Sequence, residues 1–143
     1  MTPDVFCDQL RNHGRRVTPQ RRAIIQVLAE TAGTHPTAEQ IFTRVQATMP
    51  DMSHATVYNT LHELVEIGLL LELGLGVREH RYDINISDHA HMVCLGCGRV
   101  VDVPCDCSGV DIPPEQAQGF VLTERHLVFR GYCPDCLAAM EDE

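Results

Sequence analysis

The chain has 143 residues, of which 44% are hydrophobic, and a formal net charge of −9. This size allows one compact unit or two small domains of about 60–85 residues each. No apolar run reaches the ~20 residues that span a bilayer, and no basic segment with an apolar core begins the chain, so neither a membrane span nor a secretory signal is expected. We therefore expect a cytoplasmic protein whose seven cysteines stay reduced and act as metal ligands rather than disulfides.

Charge is unevenly distributed along the chain. Residues 1–85 carry eight arginines against ten acidic residues, a formal charge of −2, whereas residues 86–143 carry three against ten, a charge of −7. Five arginines fall between Arg11 and Arg22. Because local charge rather than net charge decides phosphate contact, nucleic-acid binding by the N-terminal half stays open.

Four helices are predicted in the N-terminal half. The first covers residues 3–13 and stops at Gly14. "VTPQRRAIIQVLAE" begins with a threonine N-cap and a proline at the first helical position. "PTAEQIFTRVQATMP" has the T-x-x-Q spacing of a capping box, and "SHATVYNTLHELVEIG" is capped by its serine and closes on Gly68.

A β-hairpin follows the fourth helix. "LLLELGLG" and "VREHRYDI" change the apolar period from 3.6 to 2 around a glycine-rich turn. Helices over 37–49 and 53–67 form a helix-turn-helix pair in which 53–67 is the recognition helix. Short helices followed by a hairpin predict a winged-helix DNA-binding domain over residues 1–84, with a hinge in "DINISDHA".

The remaining residues, 85–143, are predicted to form a second small domain, which makes the chain α+β. "HMVCL", "RVVDV" and "VLTERHLVFRGYC" are typical of strands. "PDCLAAMEDE" predicts half a helix and an acidic tail, and "PCDCSGVDIPPEQAQG" allows at most a brief helix after Pro114.

Two C-x-x-C pairs are the strongest chemical signal. Each pair can direct both sulfurs to one ion through a tight turn, and two pairs supply the four thiolates that structural zinc prefers. Redox chemistry or ordinary buried cysteines are the alternatives. The four candidate zinc ligands are Cys94, Cys97, Cys133 and Cys136.

A second cluster contains His89 and His91. Residues two apart on a strand face the same side, so both imidazoles can reach one ion. The four sulfurs already complete the zinc shell, which indicates a separate site, with Asp83 and Asp102 as nearby carboxylates. Solvated or hydrogen-bonded histidines are the alternative.

These motifs together resemble the ferric uptake regulator (Fur) family of bacterial metalloregulators. The matching series is "RVTPQR", "THPTAEQI", "SHATVYNTL", "GLL", "RYD", "SDHAHMVCLGCG", "VVD" and "GYCPDC", which covers about residues 5–138. The resemblance implies a homodimeric repressor with a C-terminal α/β dimerisation domain and structural zinc on the four cysteines. It also implies a regulatory metal site at His35, Asp83, His89, His91 and Asp102, in which one ion fixes the angle between the two domains.

The regulatory site resembles that of the peroxide-responsive branch of the family. Three imidazoles and two carboxylates suit Mn²⁺ or Fe²⁺, and the aspartates at 83 and 102 replace the glutamates common in iron sensors. In that branch bound Fe²⁺ reacts with peroxide and oxidises a ligand histidine, here His89 or His35. The alternatives are a manganese or iron uptake regulator without peroxide sensing and, because no thiolate is among the five ligands, less favourably a zinc uptake regulator.

Three further features are left over. Cys105 and Cys107 depart from the family pattern and are either incidental or a supplementary thiolate or redox pair. Cys7 is expected to be a small core residue. His126, with Asp88 and Glu115, lies where some family members have an additional metal site.

Double-stranded operator DNA is the expected partner. Side chains at the start of the recognition helix reach base edges, and arginines reach the backbone or a minor groove. The resemblance suggests that Tyr58 packs on thymine methyl groups. The candidate DNA-binding residues are Arg15, Thr18, Arg21, Arg22, Ser53, His54, Ala55, Thr56 and Tyr58.

Two other classes of protein compete with a regulator. A metalloenzyme is disfavoured because the sequence has no H-E-x-x-H and no evident general base beside an open coordination position. A zinc-stabilised adaptor explains the cysteines but neither the winged-helix half nor the second ligand set.

Overall fold

The computed structural model describes residues 2–74, 80–87, 89–104, 109–122 and 125–141. The chain divides into two compact units, Met1–Ile86 and Ser87–Glu143. Within the described residues, none of the helices combines the length and the apolar character needed to cross a bilayer. The mixed composition of helices and small sheets confirms the predicted α+β class.

The first unit contains the four predicted helices. Each begins after a Thr or Ser whose hydroxyl accepts a backbone N–H of the first turn, which satisfies a donor that a helix start otherwise leaves unpaired. The helices are α1 Pro3–Asn12, α2 Pro19–Glu30, α3 Ala38–Thr48 and α4 His54–Glu66. The capping box at the start of α3 is complete in both directions.

The apolar stripes of these helices meet in one core. Ile24 and Leu28 of α2, Ile41 of α3, and Leu61 and Leu64 of α4 are all at most 2% exposed. They repeat at the three- and four-residue spacing of an amphipathic helix, so burial of one face is what selects the helical pattern. This core fixes α3 and α4 as a helix-turn-helix pair.

A two-stranded sheet completes the first unit. β1 Leu71–Leu73 pairs antiparallel with β2 Arg81–Asp83, as the hairpin prediction requires. The segment before α3 extends this sheet, because Tyr82 donates its backbone N–H to the Pro36 carbonyl at 2.9 Å and Thr37 forms a bridge with Arg81. Residues 75–79, which include part of the expected glycine-rich turn, lie outside the described residues.

The second unit is built on a three-stranded sheet in the order β4-β3-β5. β3 Ala90–Cys94 is the central strand and pairs antiparallel with β4 Val100–Val103 and parallel with β5 Val128–Gly131. A 3₁₀ turn at Pro114–Gln116 and the helix α5 Pro134–Glu141 complete the described elements.

Two predicted elements differ in length from the structure. Within the described part of "VLTERHLVFRGYC", the strand covers only the four residues of β5, because its pairing with the short β3 runs only from His91 opposite Val128 to Cys94 opposite Gly131. The expected half-helix is two turns long, since a proline at its first position is followed by good helix formers and no glycine.

Candidate metal centres and nucleic-acid interface

The four cysteines of the two C-x-x-C pairs come together in the second unit. Their sulfur atoms all lie within 4.8 Å of one another, and Cys97 Sγ is 3.9 Å from Cys133 Sγ. The parallel pairing of β3 with β5 explains this, because it brings the C-terminal ends of both strands to the same end of the sheet, where Cys94 closes β3 and Cys133 follows β5 by two residues. Four converging sulfurs are the donor set of a tetrahedral structural zinc site.

Backbone N–H groups stabilise negative charge on one sulfur of this cluster. The N–H groups of Cys133 and Cys97 point at Cys94 Sγ at 3.3 and 3.5 Å, and they lower the pKa of Cys94 to about 6. Hydrogen bonds with Cys133 and Cys94 raise the pKa of Cys136 to about 12. One thiol is therefore already poised as a thiolate, while another keeps a proton that a cation would displace.

Gly96 makes room for the fourth sulfur. A Cβ built at this position would lie 2.8 Å from Cys136 Sγ and 3.1 Å from Cys136 Cβ, closer than real Cβ contacts allow. The glycine between the first two cysteines is thus required by the approach of a residue that is distant in the chain.

In the first unit, His35 lies beside Asp83. His35 Nε2 is 3.4 Å from Asp83 Oδ2, and both side chains are at most 1% exposed. Asp83 Oδ1 accepts the backbone N–H of Asn85 at 2.9 Å, which orients the carboxylate. His35 has a left-handed backbone with φ of 52°, which is strained for a non-glycine residue.

Arg81 supports this pair and was not found from the sequence. Its Nη1 donates to the His35 carbonyl at 3.0 Å across a chain separation of 46 residues. With the bridge to Thr37, this bond holds the strained turn of His35 against β2, the strand that carries Asp83. No local motif signals such a contact.

In the second unit, His89, His91 and Asp102 form another donor set. His89 Nε2 and His91 Nε2 both lie 3.1 Å from Asp102 Oδ1, and the two rings are 4.5 Å apart. His91 faces Asp102 across the β3–β4 ladder, and His89 Nδ1 lies 2.6 Å from the Ser87 carbonyl, which leaves Nε2 directed at the carboxylate. A nitrogen and oxygen donor set of this kind suits Mn²⁺ or Fe²⁺.

The remaining cysteines and the residues of the expected additional metal site lie in different parts of the chain. Cys7 is fully buried in the core of the first unit, as expected. Cys105, Cys107 and Asp88 lie outside the described residues. Within the described residues, His126 and Glu115 belong to no cluster of three or more converging ligand atoms, so the additional metal site stays a prediction.

The exposed face of α4 is the candidate nucleic-acid interface. His54, Ala55 and Tyr58 lie on its exposed side near the N-terminus, whereas Ser53 Oγ accepts the Thr56 N–H as the helix cap. Asn59, which the sequence analysis missed, is exposed beside Tyr58, and its i+4 spacing from Ala55 is the signal that could have found it. Asparagine amides pair well with adenine edges.

The residues expected to contact the DNA backbone differ in how far they already bond within the unit. Thr18 caps α2 through the Arg21 N–H. Arg21 donates to the Arg16 carbonyl at 2.7 Å and to Glu63 of α4 at 2.9 Å, so it fixes the preceding loop to the recognition helix. Arg22 is 3.4 Å from Asp4, and Arg15 is exposed in that loop.

A cavity of about 310 Å³ lies among the start of α3, α4 and the hairpin. Glu39 and Glu72 are part of its wall, and His80 Nδ1 is 2.8 Å from Glu72 Oε1. Burial, then the charges of Glu72 and Tyr58, raise the pKa of Tyr82 to about 12, so its phenol is neutral at physiological pH. Two carboxylates make this cavity unfavourable for phosphate.

A helix-turn-helix with a hairpin, in one chain with a four-thiol cluster and histidine–carboxylate sets, defines the class of metal-binding DNA regulators. The chain belongs to the Ferric uptake regulator family, whose model matches residues 12–129. This confirms the resemblance found in the motif series.

Individual relatives agree with this assignment. The chain is 38% identical over 132 residues to the peroxide operon regulator of Bacillus subtilis, with 90% of this chain and 89% of that protein covered. The solved structure of the peroxide sensor PerR from Streptococcus pyogenes is 33% identical with a TM-score of 0.53, covering 94% and 92% of the two chains. The ferric uptake regulator of Pseudomonas aeruginosa, solved with manganese, is 26% identical with a TM-score of 0.68, covering 89% and 96%.

Proposed function

We propose that this protein is a metal-dependent transcriptional repressor that responds to peroxide. The observation that carries the proposal is the all-nitrogen-and-oxygen donor set, in which both carboxylates are aspartates, in a chain with a winged-helix unit. Relatives named as peroxide-responsive repressors, 36% identical in Staphylococcus saprophyticus, support it. On this proposal the protein is cytoplasmic and acts by binding DNA rather than as an enzyme.

Structural zinc fits the four-thiol cluster. The converging sulfurs, the N–H groups directed at Cys94 and the space left by Gly96 all suit a tetrahedral ion. Zinc there would connect β3, β5 and α5 at one edge of the second unit. Its role is to hold the fold of that unit rather than to sense a signal.

A regulatory ion, Mn²⁺ or Fe²⁺, fits the remaining donors. We infer that the pair His35 and Asp83 and the set His89, His91 and Asp102 hold the same ion. Residues 1–84 act as the DNA-binding domain and 85–143 as the dimerisation domain, so a shared ion restricts the arrangement of the two. Metal-dependent DNA affinity then follows from the difference in metal affinity between arrangements.

Peroxide responsiveness is assigned to the histidines. Bound Fe²⁺ supplies the electrons that peroxide chemistry needs. His35 and His89 are the proposed targets of oxidation. Both side chains are almost inaccessible, at 0% and 4% exposure, so peroxide from solvent would be reduced by the bound Fe²⁺, and the oxidising species would form next to these rings. Loss of a histidine ligand releases the constraint on the domains and lowers operator affinity.

Operator binding is assigned to the exposed face of α4 and to the arginine loop. His54, Ala55, Tyr58 and Asn59 are positioned to meet base edges in a major groove, and Arg15 to meet phosphate. Thr18, Ser53 and Thr56 orient these elements through the helix caps, and Arg21 also bonds within the unit. Arg22, whose pair with Asp4 is exposed, is placed to meet phosphate together with Arg15.

A homodimer is supported by exposed apolar side chains of the second unit. Met92, Phe129, Tyr132 and Leu137 are each 45–57% exposed, and within the described residues α5 buries none of its side chains. Met92, Phe129 and Tyr132 border a cavity of about 450 Å³ on the sheet. A second copy covering this face would bury that surface and set two recognition helices at a fixed spacing.

The decisive experiment combines DNA binding with mass spectrometry. Operator fragments should be retained with Mn²⁺ or Fe²⁺ and released after metal removal. Peroxide treatment of the Fe²⁺ form should add one oxygen to His35 or His89 and release DNA, whereas the Mn²⁺ form should be unaffected. Unmodified histidines with operator binding retained would reject peroxide sensing.

The second candidate is a manganese or iron uptake regulator without peroxide sensing. The 26% identity to the ferric uptake regulator of Pseudomonas aeruginosa, solved with manganese, supports it. The same experiment separates the two, because this candidate predicts metal-dependent binding in both metal forms and no histidine oxidation.

A further inference from the structure

His54, the first residue of the recognition helix, is held by side chains of α3. Its ring stacks on Phe42 with centroids 3.6 Å apart and planes inclined by 20°. Its Nε2 lies 3.3 and 3.5 Å from the two carboxylate oxygens of Glu39. The ring is thus confined by a flat surface and by a charged edge.

Stability alone does not account for this arrangement. The side chains of His54 and Glu39 are 57% and 62% exposed, and an ion pair this exposed contributes little to folding. Phe42, in contrast, is only 6% exposed and belongs to the core. An exposed side chain is therefore held against a buried side chain of the core.

The held ring lies on the face proposed to meet DNA. Tyr58, one turn further along α4, is 46% exposed, and its ring centroid is 6.5 Å from that of His54. The N-terminal residues of a recognition helix are those that reach base edges in the major groove. His54 and Tyr58 therefore present neighbouring rings to the same groove.

We propose that Glu39 and Phe42 are positioning residues that fix His54 to read a base edge of the operator. The proposal rests on the proposed DNA-binding function. An ionised carboxylate can only accept hydrogen bonds, so Nε2 of His54 carries a proton when it pairs with Glu39. Nδ1 is then the ring atom that remains to hydrogen-bond a base edge. Because the ring is already confined, less side-chain entropy is lost on binding, and the gain applies only to a sequence that matches this geometry.

The first turn of α3 also connects Glu39 with the pair of His35 and Asp83, which is proposed to bind the regulatory ion. Glu39 follows two residues after Thr37, the N-cap of α3, and Thr37 follows two residues after His35. The bond from Arg81 to the His35 carbonyl and the bridge from Arg81 to Thr37 fix the start of that turn. A regulatory ion on His35 would thus also stabilise the position of Glu39.

The test is the sequence preference of Glu39→Gln. Full-length Mn²⁺-loaded protein selects a duplex from a random pool, and anisotropy compares that duplex with a scrambled one. We expect the preference to fall by about threefold to tenfold, a fraction of one good base contact, with little change on the scrambled duplex. His54→Ala should lose the same preference, and adding Glu39→Gln to it should cause no further loss.

Glu66→Gln is the matched control. Glu66 also pairs with an exposed histidine, His62, at 3.1 Å, but at the other end of α4. The Glu66→Gln variant removes the same charge as Glu39→Gln and should leave the sequence preference unchanged. Thermal melting of all variants checks that the fold is equal.

The possible results separate the explanations. Glu39→Gln could raise the affinity for both duplexes equally, in the presence of His54 and in the His54→Ala background. Glu39 would then only repel phosphate, and the proposal would be wrong. An unchanged preference, or equal weakening on both duplexes, would overturn it too. If the unmodified protein selects no duplex in any metal form, the proposed function itself fails.

Discussion

The two proposed sets of metal ligands differ in where their residues lie. All four sulfurs belong to the second unit, within 4.8 Å of one another. The histidines and aspartates are divided, with His35 and Asp83 in the first unit and His89, His91 and Asp102 in the second. A site contained in one unit can only stabilise that unit, whereas ligands divided between two can make the arrangement of those units depend on metal.

The largest effect is expected from breaking the thiol cluster. Cys133→Ser removes one of four thiolates, and because structural zinc is part of the folding free energy, the second unit should lose both zinc and ordered structure. Metal analysis and circular dichroism measure the two losses. Cys7→Ala removes a thiol from the other unit and should keep zinc. A folded, zinc-free Cys133→Ser protein would contradict the structural role.

Removing a ligand from the proposed regulatory set of histidines and aspartates should leave the fold intact. His91→Ala removes one imidazole from Asp102, and we expect Mn²⁺-dependent operator affinity to fall by at least about tenfold, since even residues that only support a metal ligand have effects of this size. Anisotropy titration measures this fall. Zinc content and melting temperature should stay near those of the unmodified protein. Loss of zinc together with DNA binding would remove the distinction between the two sets.

Gly96→Ala tests the steric requirement of the zinc cluster. The new methyl group would lie 2.8 Å from Cys136 Sγ, so the sulfur must shift and zinc should be released faster to a chelator. Gly131→Ala is the control, because a Cβ there meets nothing within 4 Å. Equal chelator release rates for the two variants would argue against the proposed geometry.

The smallest effect is expected from the cap that holds the His35 segment. Thr37→Ala removes the hydroxyl that accepts the Gln40 N–H at 3.2 Å, which should lower the free energy of unfolding of the first unit by about 1 kcal/mol. Denaturant unfolding measures this loss. Thr37→Ser keeps the hydroxyl and should lose much less. Zinc retention should not change in either variant, because the cap belongs to the other unit.

Features that depend on neighbouring residues could be predicted from the sequence. The capping box at Thr37 and Gln40 and the two C-x-x-C pairs are short spacings whose geometry is local. The family resemblance added His35, which no spacing indicates. Its pairing with Asp83 is set by a strained turn and a sheet that join residues 46 or more apart in the chain.

Features that depend on tertiary packing were missed or misjudged. The strand containing Val128 is shorter than its apolar pattern suggests, because its pairing with β3 begins only at Val128, opposite His91, and ends at Gly131, opposite Cys94. The bonds from the Arg21 guanidinium to Glu63 and to the Arg16 carbonyl could not be found from its sequence context, and its contact with phosphate stays a prediction. Charge and periodicity show which residues can act, whereas the partner across the fold decides what they do.

The parallel register of β3 and β5 has a consequence for biosynthesis. Cys97 and Cys133 meet across 36 positions of chain, and the fourth thiol follows three residues later. The coordination shell of the proposed zinc site is therefore complete only once residue 136 has been synthesised. A product that stops before Cys136 would hold at most three of the four cluster thiols and would have no closed shell for zinc.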